Sequence, residues 1–285
     1  MALAYGFLGS HAEAEDVVQE AWLRYHQADA LRQPEAWLTT VVSRIALDRL
    51  RSAQRRREMY PGTWLPEPVS ELPDPESTQA MRSLLSVGFL HLLEMLAPEE
   101  RAVVVLREAF ERSYDDIAEV IGKSAAACRQ LFSRAMKRLK RDKAGPVATV
   151  PESLVQEFIE ALASEDEQRV LGLLAEDAIL FSDGGGRVRA ALNPIYGSDK
   201  IARFFSGVLR KSGPGYWVRI AQVNGEPALL AFADGHSAVL TFSFDGSRIT
   251  ALHFIGNPDK LRPFEALIQP VVPPQDSPQP PGAPE

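Results

Sequence analysis

Three Xaa-Gly dipeptides in the second half of the chain restrict its fold more than any other feature. Asn224-Gly225, Asp234-Gly235 and Asp245-Gly246 recur at nearly regular spacing and separate runs rich in β-branched and aromatic residues. Asn-Gly and Asp-Gly supply the positive φ angles that tight hairpin turns require. The pattern predicts an antiparallel meander whose strands cover four runs: residues 216–223, 228–233, 236–244 and 248–255.

Helical patterning precedes this meander. Residues 152–163 and 167–174 place apolar side chains at helical spacing. Helices followed by a curved sheet predict an α+β cone over residues 148–268. The last stretch, 269–285, is rich in proline, and this composition predicts a disordered tail.

The first 143 residues follow a helical period almost throughout. Ser10 and Glu13 form a capping-box pattern at one helix start, and Pro34 opens the next helix. Residues 59–75 contain five prolines, which exclude a helix there. We therefore predict an all-α domain over residues 1–56, a linker over 57–78, and a second all-α domain over 79–143.

Residues 113–139 carry the pattern of a helix-turn-helix. Ser113 and Asp116 cap a short helix, Gly122 suits the turn, and Ser124 is a natural cap for a longer second helix. The first turns of such a helix contact base edges, and its basic end contacts phosphates. The outward-facing residues predicted to contact DNA are Ser124, Ala125, Arg129, Gln130, Ser133, Arg134, Lys137 and Arg138. Cys128 faces the opposite side and is expected in the core.

Charge and composition exclude several classes of protein. The formal net charge of −7 argues against nucleic acid at first sight, but basic residues concentrate in the first half and acidic ones in the second. No apolar run approaches the roughly 20 residues of a membrane span. One cysteine permits no intramolecular disulfide and no Cys-rich metal site. The N-terminus shows no basic leader, so we expect a cytoplasmic protein. We also expect no cofactor and no metal.

Four segments of the first half resemble the extracytoplasmic-function sigma factors, which give promoter recognition to RNA polymerase. They are AEDVVQEAWLRY (14–25), PEAWLTTVVSRIALDRLR (34–51), APEERAVVVLRE (97–108) and YDDIAEVIGKSAAACRQLFSRAMKRL (114–139). The resemblance implies that the last two segments read the −35 promoter element. Members of the family begin with a further helix that is mostly missing here, so the first domain is expected to be short at its N-terminus.

The resemblance also implies roles for the first two segments. The first docks on the clamp helices of the polymerase β′ subunit, through Asp16, Gln19, Glu20 and Arg24. The second melts and reads the −10 element. Its aromatic and basic residues suit stacking and phosphate contact on single-stranded DNA: Trp37, Arg44, Arg49 and Arg51.

The second half resembles a SnoaL-like domain of the nuclear-transport-factor-like superfamily, and three motifs resemble the sigma-factor subgroup in which such a domain is fused. The first motif is Trp64, Leu65, Pro66, Glu67 and Pro68; the second is Asp183, Gly184, Gly185, Gly186 and Arg187; the third is Asn257, Pro258, Asp259, Lys260 and Leu261. The resemblance implies that the cone packs on the linker and regulates sigma activity in cis, in place of a separate anti-sigma protein. A large aromatic needs a pocket, so we expect Trp64 to be a main contact.

Two other functions remain open from the sequence. SnoaL-like cones include cyclases and isomerases, for which Asp183, His236 and His253 are the candidate acids and bases, although spacing fixes no acid–base pair. A DNA-binding regulator that senses a small ligand in its cone, without binding polymerase, is the second. The polymerase-docking segment argues against it.

Overall fold

Three helices form the first part of the chain. This computed structural model describes residues 1–28, 31–70, 84–141, 148–211, 216–233, 235–264 and 267. The three helices are α1 (Ala2–Leu8), α2 (His11–His26) and α3 (Pro34–Arg57). Ser10 Oγ accepts a hydrogen bond from Glu13 N at 3.3 Å and caps α2. The Glu13 carboxylate bonds to Arg56 of α3, so the Ser10 cap also lies beside a tertiary ion pair.

Four further helices are complete within the described residues after the linker: α4 (Val87–Leu93), α5 (Pro98–Val104), α6 (Tyr114–Ile121) and α7 (Ala125–Arg141). A π-helical turn, Val105–Ala109, extends α5. Both hydrogen bonds of the Ser113–Asp116 capping box are present, and Gly122 has a φ of +73°. The expected helix-turn-helix is therefore formed by α6 and α7.

The two helical domains share one hydrophobic core. Side chains of α1 and α3 pack with those of α4 to α7, and the structure buries Cys128 among them. Fully or nearly fully buried members of this core include Tyr5, Phe7, Leu47, Leu90, Leu106 and Leu139. Because the core is continuous, the first domain is packed against the helix-turn-helix domain.

The second half contains helices and one six-stranded sheet. The helices are α8 (Glu152–Ala163), α9 (Glu167–Leu173), α10 (Ser198–Lys211) and α11 (Pro258–Leu261), followed by a 3-10 turn, Arg262–Phe264. The strands are β1 (Leu174–Asp183), β2 (Ile195–Tyr196), β3 (Trp217–Val223), β4 (Glu226–Ala233), β5 (His236–Phe244) and β6 (Ile249–Ile255).

The strand order is β2-β1-β6-β5-β4-β3. Strands β3 to β6 form the predicted antiparallel meander. The sequence did not indicate β1, β2 or α10, and β1 pairs in parallel with β6, so the sheet is mixed. The predicted domain start at residue 79 and the tail 269–285 lie outside the described residues.

Each face of the sheet has a different covering. One face packs on α8, α9 and α10 through residues such as Phe158, Phe205 and Leu240. The other face contacts Leu65 of the linker and Val87 of α4. The helical half of the chain thus covers this second face directly. Within the described residues, no helix is long and apolar enough to span a bilayer.

Candidate functional site

Asp183, the last residue of β1, is the centre of contacts between the linker and the cone. Its Oδ1 accepts hydrogen bonds from Tyr60 Oη at 2.6 Å and Gly185 N at 3.0 Å. Its Oδ2 accepts from Leu65 N at 3.0 Å and Lys260 Nζ at 2.7 Å. One buried carboxylate therefore joins the linker to two segments of the cone. We call Tyr60, Trp64, Leu65, Asp183, Asn257 and Lys260 the interdomain site.

Lys260 supplies the positive charge that balances Asp183. Its ammonium also donates to the carbonyl oxygen of Leu65 and lies 4.1 Å from the Trp64 ring centroid. Burial lowers the pKa of Lys260, and Asp183 offsets part of this shift by favouring the charged form. A buried pair is costly to break from one side, because the remaining charge stays uncompensated.

Leu65 is more deeply buried than Trp64, the residue predicted from the sequence to be a main contact of the linker. Leu65 has no exposed surface and packs in a cluster with Leu230 and Ile255 of the sheet. Trp64 is half-buried, with the Arg57 guanidinium carbon 3.5 Å from its ring centroid. Trp64 is thus held between cations of α3 and of the cone, whereas Leu65 fills the apolar site on the sheet.

The glycine loop and the Asn257 segment complete the site. Asn257 donates to Tyr60 Oη at 2.9 Å and accepts from Asp259 N at 3.0 Å. A Cβ atom on Gly185 would lie 2.4 Å from Asn257 Cγ, so only glycine fits there. Arg187 forms an exposed ion pair with Asp259 at 3.1 Å. The three sequence motifs therefore meet at one place.

The other members of these motifs have simpler environments. Glu67 accepts hydrogen bonds from Ser10 Oγ at 3.0 Å and His11 N at 2.9 Å, which joins the linker to the start of α2. The remaining residues are buried or at the surface as follows: Pro66, Pro68, Gly184 and Leu261 are buried, and Gly186 and Pro258 are exposed.

The outward face of α7 is open to solvent. Exposed residues on or next to it are Ser124, Arg129, Gln130, Ser133, Arg134, Lys137 and Arg138, with Ala125 half-buried. The Arg129 guanidinium lies 5.3 Å from the Tyr114 ring centroid, and Arg138 pairs with Glu100 at 3.2 Å. Apart from these contacts, α7 presents the polar and basic surface that a recognition helix needs.

Comparison with known proteins decides the family. Residues 1–56 match the family described as Sigma-70 region 2, and residues 87–139 match Sigma-70, region 4. The chain is 39% identical over 278 residues to the ECF RNA polymerase sigma factor SigJ of Mycobacterium tuberculosis H37Rv, covering 92% of this chain and 89% of the relative. The chain belongs to the extracytoplasmic-function RNA polymerase sigma factors.

One further relative and a solved structure agree with this assignment. The probable ECF sigma factor SigI of M. tuberculosis is 32% identical over 276 residues, covering 93% of this chain and 92% of the relative. The crystal structure of M. tuberculosis SigJ superimposes with a TM-score of 0.75 at 35% identity, covering 92% of this chain and 94% of that one. This sigma factor therefore directs promoter recognition and transcription initiation and is not an enzyme. Its fold is two helical sigma domains followed by an α+β domain with a six-stranded mixed sheet.

One of the three candidate acids and bases of the enzyme hypothesis, His236, lies far from His253 in this sigma factor. The carboxylate of Asp183 is engaged on both oxygens. His253 of β6 lies opposite Thr241 of β5. The exposed His236 lies on β5, five residues before Thr241. Strand rise separates these two positions by about 17 Å. Burial lowers the pKa of His253 well below its usual value.

The predicted polymerase-binding and −10 residues of the sigma factor lie together on α2 and α3. Arg49 pairs with Asp16 at 3.0 Å and with Glu20 at 3.3 Å, while Arg24 pairs with Glu20 at 2.6 Å. Gln19 is exposed, and Trp37 is half-buried with its ring 6.1 Å from that of Tyr25. One ion-pair network thus joins Arg49 of the predicted −10 set to Asp16, Glu20 and Arg24 of the predicted polymerase-binding set.

Two other predicted DNA contacts bond to the helix-turn-helix domain. Arg44 donates to the carbonyl oxygen of Glu119 at 2.8 Å, and Arg51 pairs with Glu99 at 2.7 Å. Sequence reasoning missed these contacts, and it also missed Asn224, which it treated only as a turn residue. Their partners lie far away in the sequence, so no local pattern marks them.

Proposed function

We propose that the cone of this sigma factor regulates transcription initiation in cis by holding the linker and both sigma domains in one packed arrangement. The observation that carries this proposal is the Asp183 carboxylate, which accepts hydrogen bonds from two linker residues, Tyr60 and Leu65. Both sigma domains begin or end at this linker. By holding the linker, the cone therefore sets the distance between the two promoter-reading domains.

The chemistry of the site favours a defined docked state over a loose contact. Release of the linker would leave the Asp183–Lys260 pair without the backbone groups of Leu65. It would also expose the Leu65 side chain, and apolar area costs about 25 cal/mol per Å² in water. Pro66 and Pro68 restrict the free linker, so less entropy is lost on docking.

We further propose that α2 docks this sigma factor on the clamp helices of the polymerase β′ subunit in the cytoplasm, through Asp16, Gln19, Glu20 and Arg24. Trp22 and Leu23 on the same helix support a docking role, because 55% and 62% of their surfaces are exposed. Exposed large apolar side chains next to charged ones are typical of protein interfaces. Asp16→Ala combined with Gln19→Ala should lower the yield of core polymerase in pull-downs and leave the protein folded.

In vitro transcription with core polymerase tests the cis regulation. Asp183→Asn removes the charge that balances Lys260 and should change the yield or choice of promoter transcripts. Asp199→Asn is the matched control, since Asp199 is exposed on the cone helix α10 and makes the same change of charge. A chain ending after Leu139 should show the same direction of change. Identical transcripts from wild type, Asp183→Asn and the shortened chain would refute the proposal.

A further inference from the structure

Asn224 lies in the turn between β3 and β4 but is only 1% exposed. With Gly225 it forms a two-residue hairpin turn, with φ angles of +55° and +77°. Turn residues of this kind usually point into solvent. Here the turn inserts between the linker and both sigma domains, and its asparagine side chain is buried there.

Asn224 joins four segments of the chain through hydrogen bonds. Its backbone N donates to the Val69 carbonyl at 2.8 Å, and its Oδ1 accepts from Val69 N at 3.0 Å. Its Nδ2 donates at 2.7 Å to both Tyr5 Oη and the Leu85 carbonyl oxygen. Tyr5 Oη in turn donates to the carbonyl oxygen of Glu67 at 2.7 Å.

We infer that Asn224 is a positioning residue that fixes the two sigma domains relative to each other through the cone. Tyr5 belongs to α1 of the first sigma domain, and Leu85 lies two residues before the start of α4 of the second. One amide group therefore bonds to both domains and to the linker. The inference rests on the proposed cis regulation and deepens it, because it adds a second attachment point.

This attachment is separate from the interdomain site. Its partners are Tyr5, Glu67, Val69 and Leu85, none of which contributes to the Asp183 cluster. The linker is thus held at Leu65 by Asp183 and at Val69 by Asn224. Two attachments four residues apart fix the position and the direction of this segment, whereas a single attachment would let it pivot.

The chemistry of the junction requires an amide. Asn224 uses one acceptor and two donors at once, and aspartate in the same place has no side-chain donor for the Leu85 carbonyl. Burial raises the pKa of Tyr5, so its hydroxyl stays a neutral donor to Glu67 and an acceptor from Asn224. Glycine adopts a φ of +55° without strain.

Hydrogen exchange by NMR on the full-length protein tests the inference. Asn224→Gly keeps the turn and removes the side chain. The Val69 amide should exchange at least about tenfold faster, since it loses its acceptor, while the Leu65 amide, bonded to Asp183, should keep its wild-type rate. Asn193→Gly, at an exposed position of the cone, is the control. An unchanged Val69 rate would overturn the inference.

A second measurement separates positioning from simple stability. Spin labels on cysteines introduced at the exposed positions Ala12 and Lys123 report the distance between the sigma domains. Asn224→Gly should broaden this distance distribution, and adding Tyr5→Phe should broaden it further, because it also removes the bond from Tyr5 to the Glu67 carbonyl oxygen. An unchanged distribution would refute the inference. A broadened distribution with wild-type transcripts from core polymerase would support positioning and refute cis regulation.

Discussion

At the scale of single residues, each side chain of the interdomain site makes a different chemical contribution to the contact between the linker and the cone. Leu65 contributes buried apolar area, Asp183 contributes two acceptors, and Lys260 contributes a charge together with a donor for the linker carbonyl. Tyr60 is a neutral donor, because burial and Asp183 both raise its pKa. Each of these roles can be removed by one substitution, with a different expected effect.

Leu65→Ala should lower the free energy of unfolding by about 2–5 kcal/mol, the range for a leucine truncated in a packed core. Chemical denaturation of the full-length protein measures it. Leu192→Ala makes the same chemical change at a side chain that is 66% exposed and should cost less than about 0.5 kcal/mol. Equal losses for the two variants would show that Leu65 is not the apolar anchor.

Arg129→Ala or Gln130→Ala should weaken recognition of the −35 element, because both side chains are exposed on the first turns of α7. A lost bidentate base contact costs about 1–3 kcal/mol for the preferred sequence alone. Lys137→Ala should instead weaken binding to all sequences and reduce its salt dependence. Competition binding with altered −35 sequences distinguishes the two. Wild-type selectivity in both base-facing variants would contradict the assignment.

At the scale of elements, α4 of the second sigma domain packs closely on the cone. A Cβ atom on Gly88 would lie 2.4 Å from Ser243 Oγ of β5, so helix and sheet approach as closely as a glycine permits. His91 of α4 has its ring centroid 4.4 Å from that of Phe181 and 5.3 Å from that of His253. This contact contains two imidazoles that burial keeps neutral.

Stability should therefore fall in mildly acidic solution. Burial lowers the pKa of His91 to about 4; Lys260 adds to this shift, and Glu94 and Asp183 oppose it. The unfolded chain takes up this proton below about pH 6.5, while the folded protein resists it until about pH 4. The contribution of neutral His91 is thus fully present above pH 6.5 and decreases as the pH falls towards 4.

His91→Gln should reduce this loss by about 1–3 kcal/mol between pH 7 and 4.5. Denaturation of both proteins across this range measures the difference. Burial raises the pKa of Glu226 to about 7, so its contribution to the free energy of unfolding changes with pH in the opposite direction. This contribution is present in both proteins and cancels in the comparison. Parallel stability curves for the two proteins would show that His91 does not titrate in this window.

At the scale of the whole molecule, the packed arrangement engages two of the predicted DNA-contacting residues inside the protein. Arg44 and Arg51 of the first sigma domain bond to Glu119 and Glu99 of the second. The helix-turn-helix and α3, the predicted −10 segment, are thereby held close together around one core. If Arg44 and Arg51 contact DNA as predicted, these bonds are exchanged for DNA contacts when the promoter is bound.

Glu99→Gln should let the free protein bind promoter DNA more tightly, by up to about fivefold, because a partly exposed ion pair contributes at most about 1 kcal/mol. Glu108→Gln removes an equal charge at an exposed position of the same domain and corrects for general electrostatics. Fluorescence anisotropy at low salt measures both. The difference should disappear at high salt. Equal affinities at low salt would show that the Arg51 pair does not restrain DNA binding.

The sequence by itself determined the features that depend on residues a few positions apart. Ser113 and Asp116 start α6, Gly122 ends it, and the Asn-Gly turn joins β3 to β4, because caps and tight turns are satisfied within one or two turns of chain. The resemblance of the three motifs indicated which segments of the linker and the cone lie together. It did not say which of their atoms touch.

Only the tertiary structure decided the contacts between distant segments. The parallel pairing of β1 with β6, the burial of Leu65 on the sheet, and the bonds of Asn224 to Tyr5 and Leu85 all join residues far apart in the chain. A buried polar group must find a partner wherever the fold brings one. The sequence marks Asn224 as a turn residue, and its second role arises only because the turn lies where the linker and both sigma domains meet.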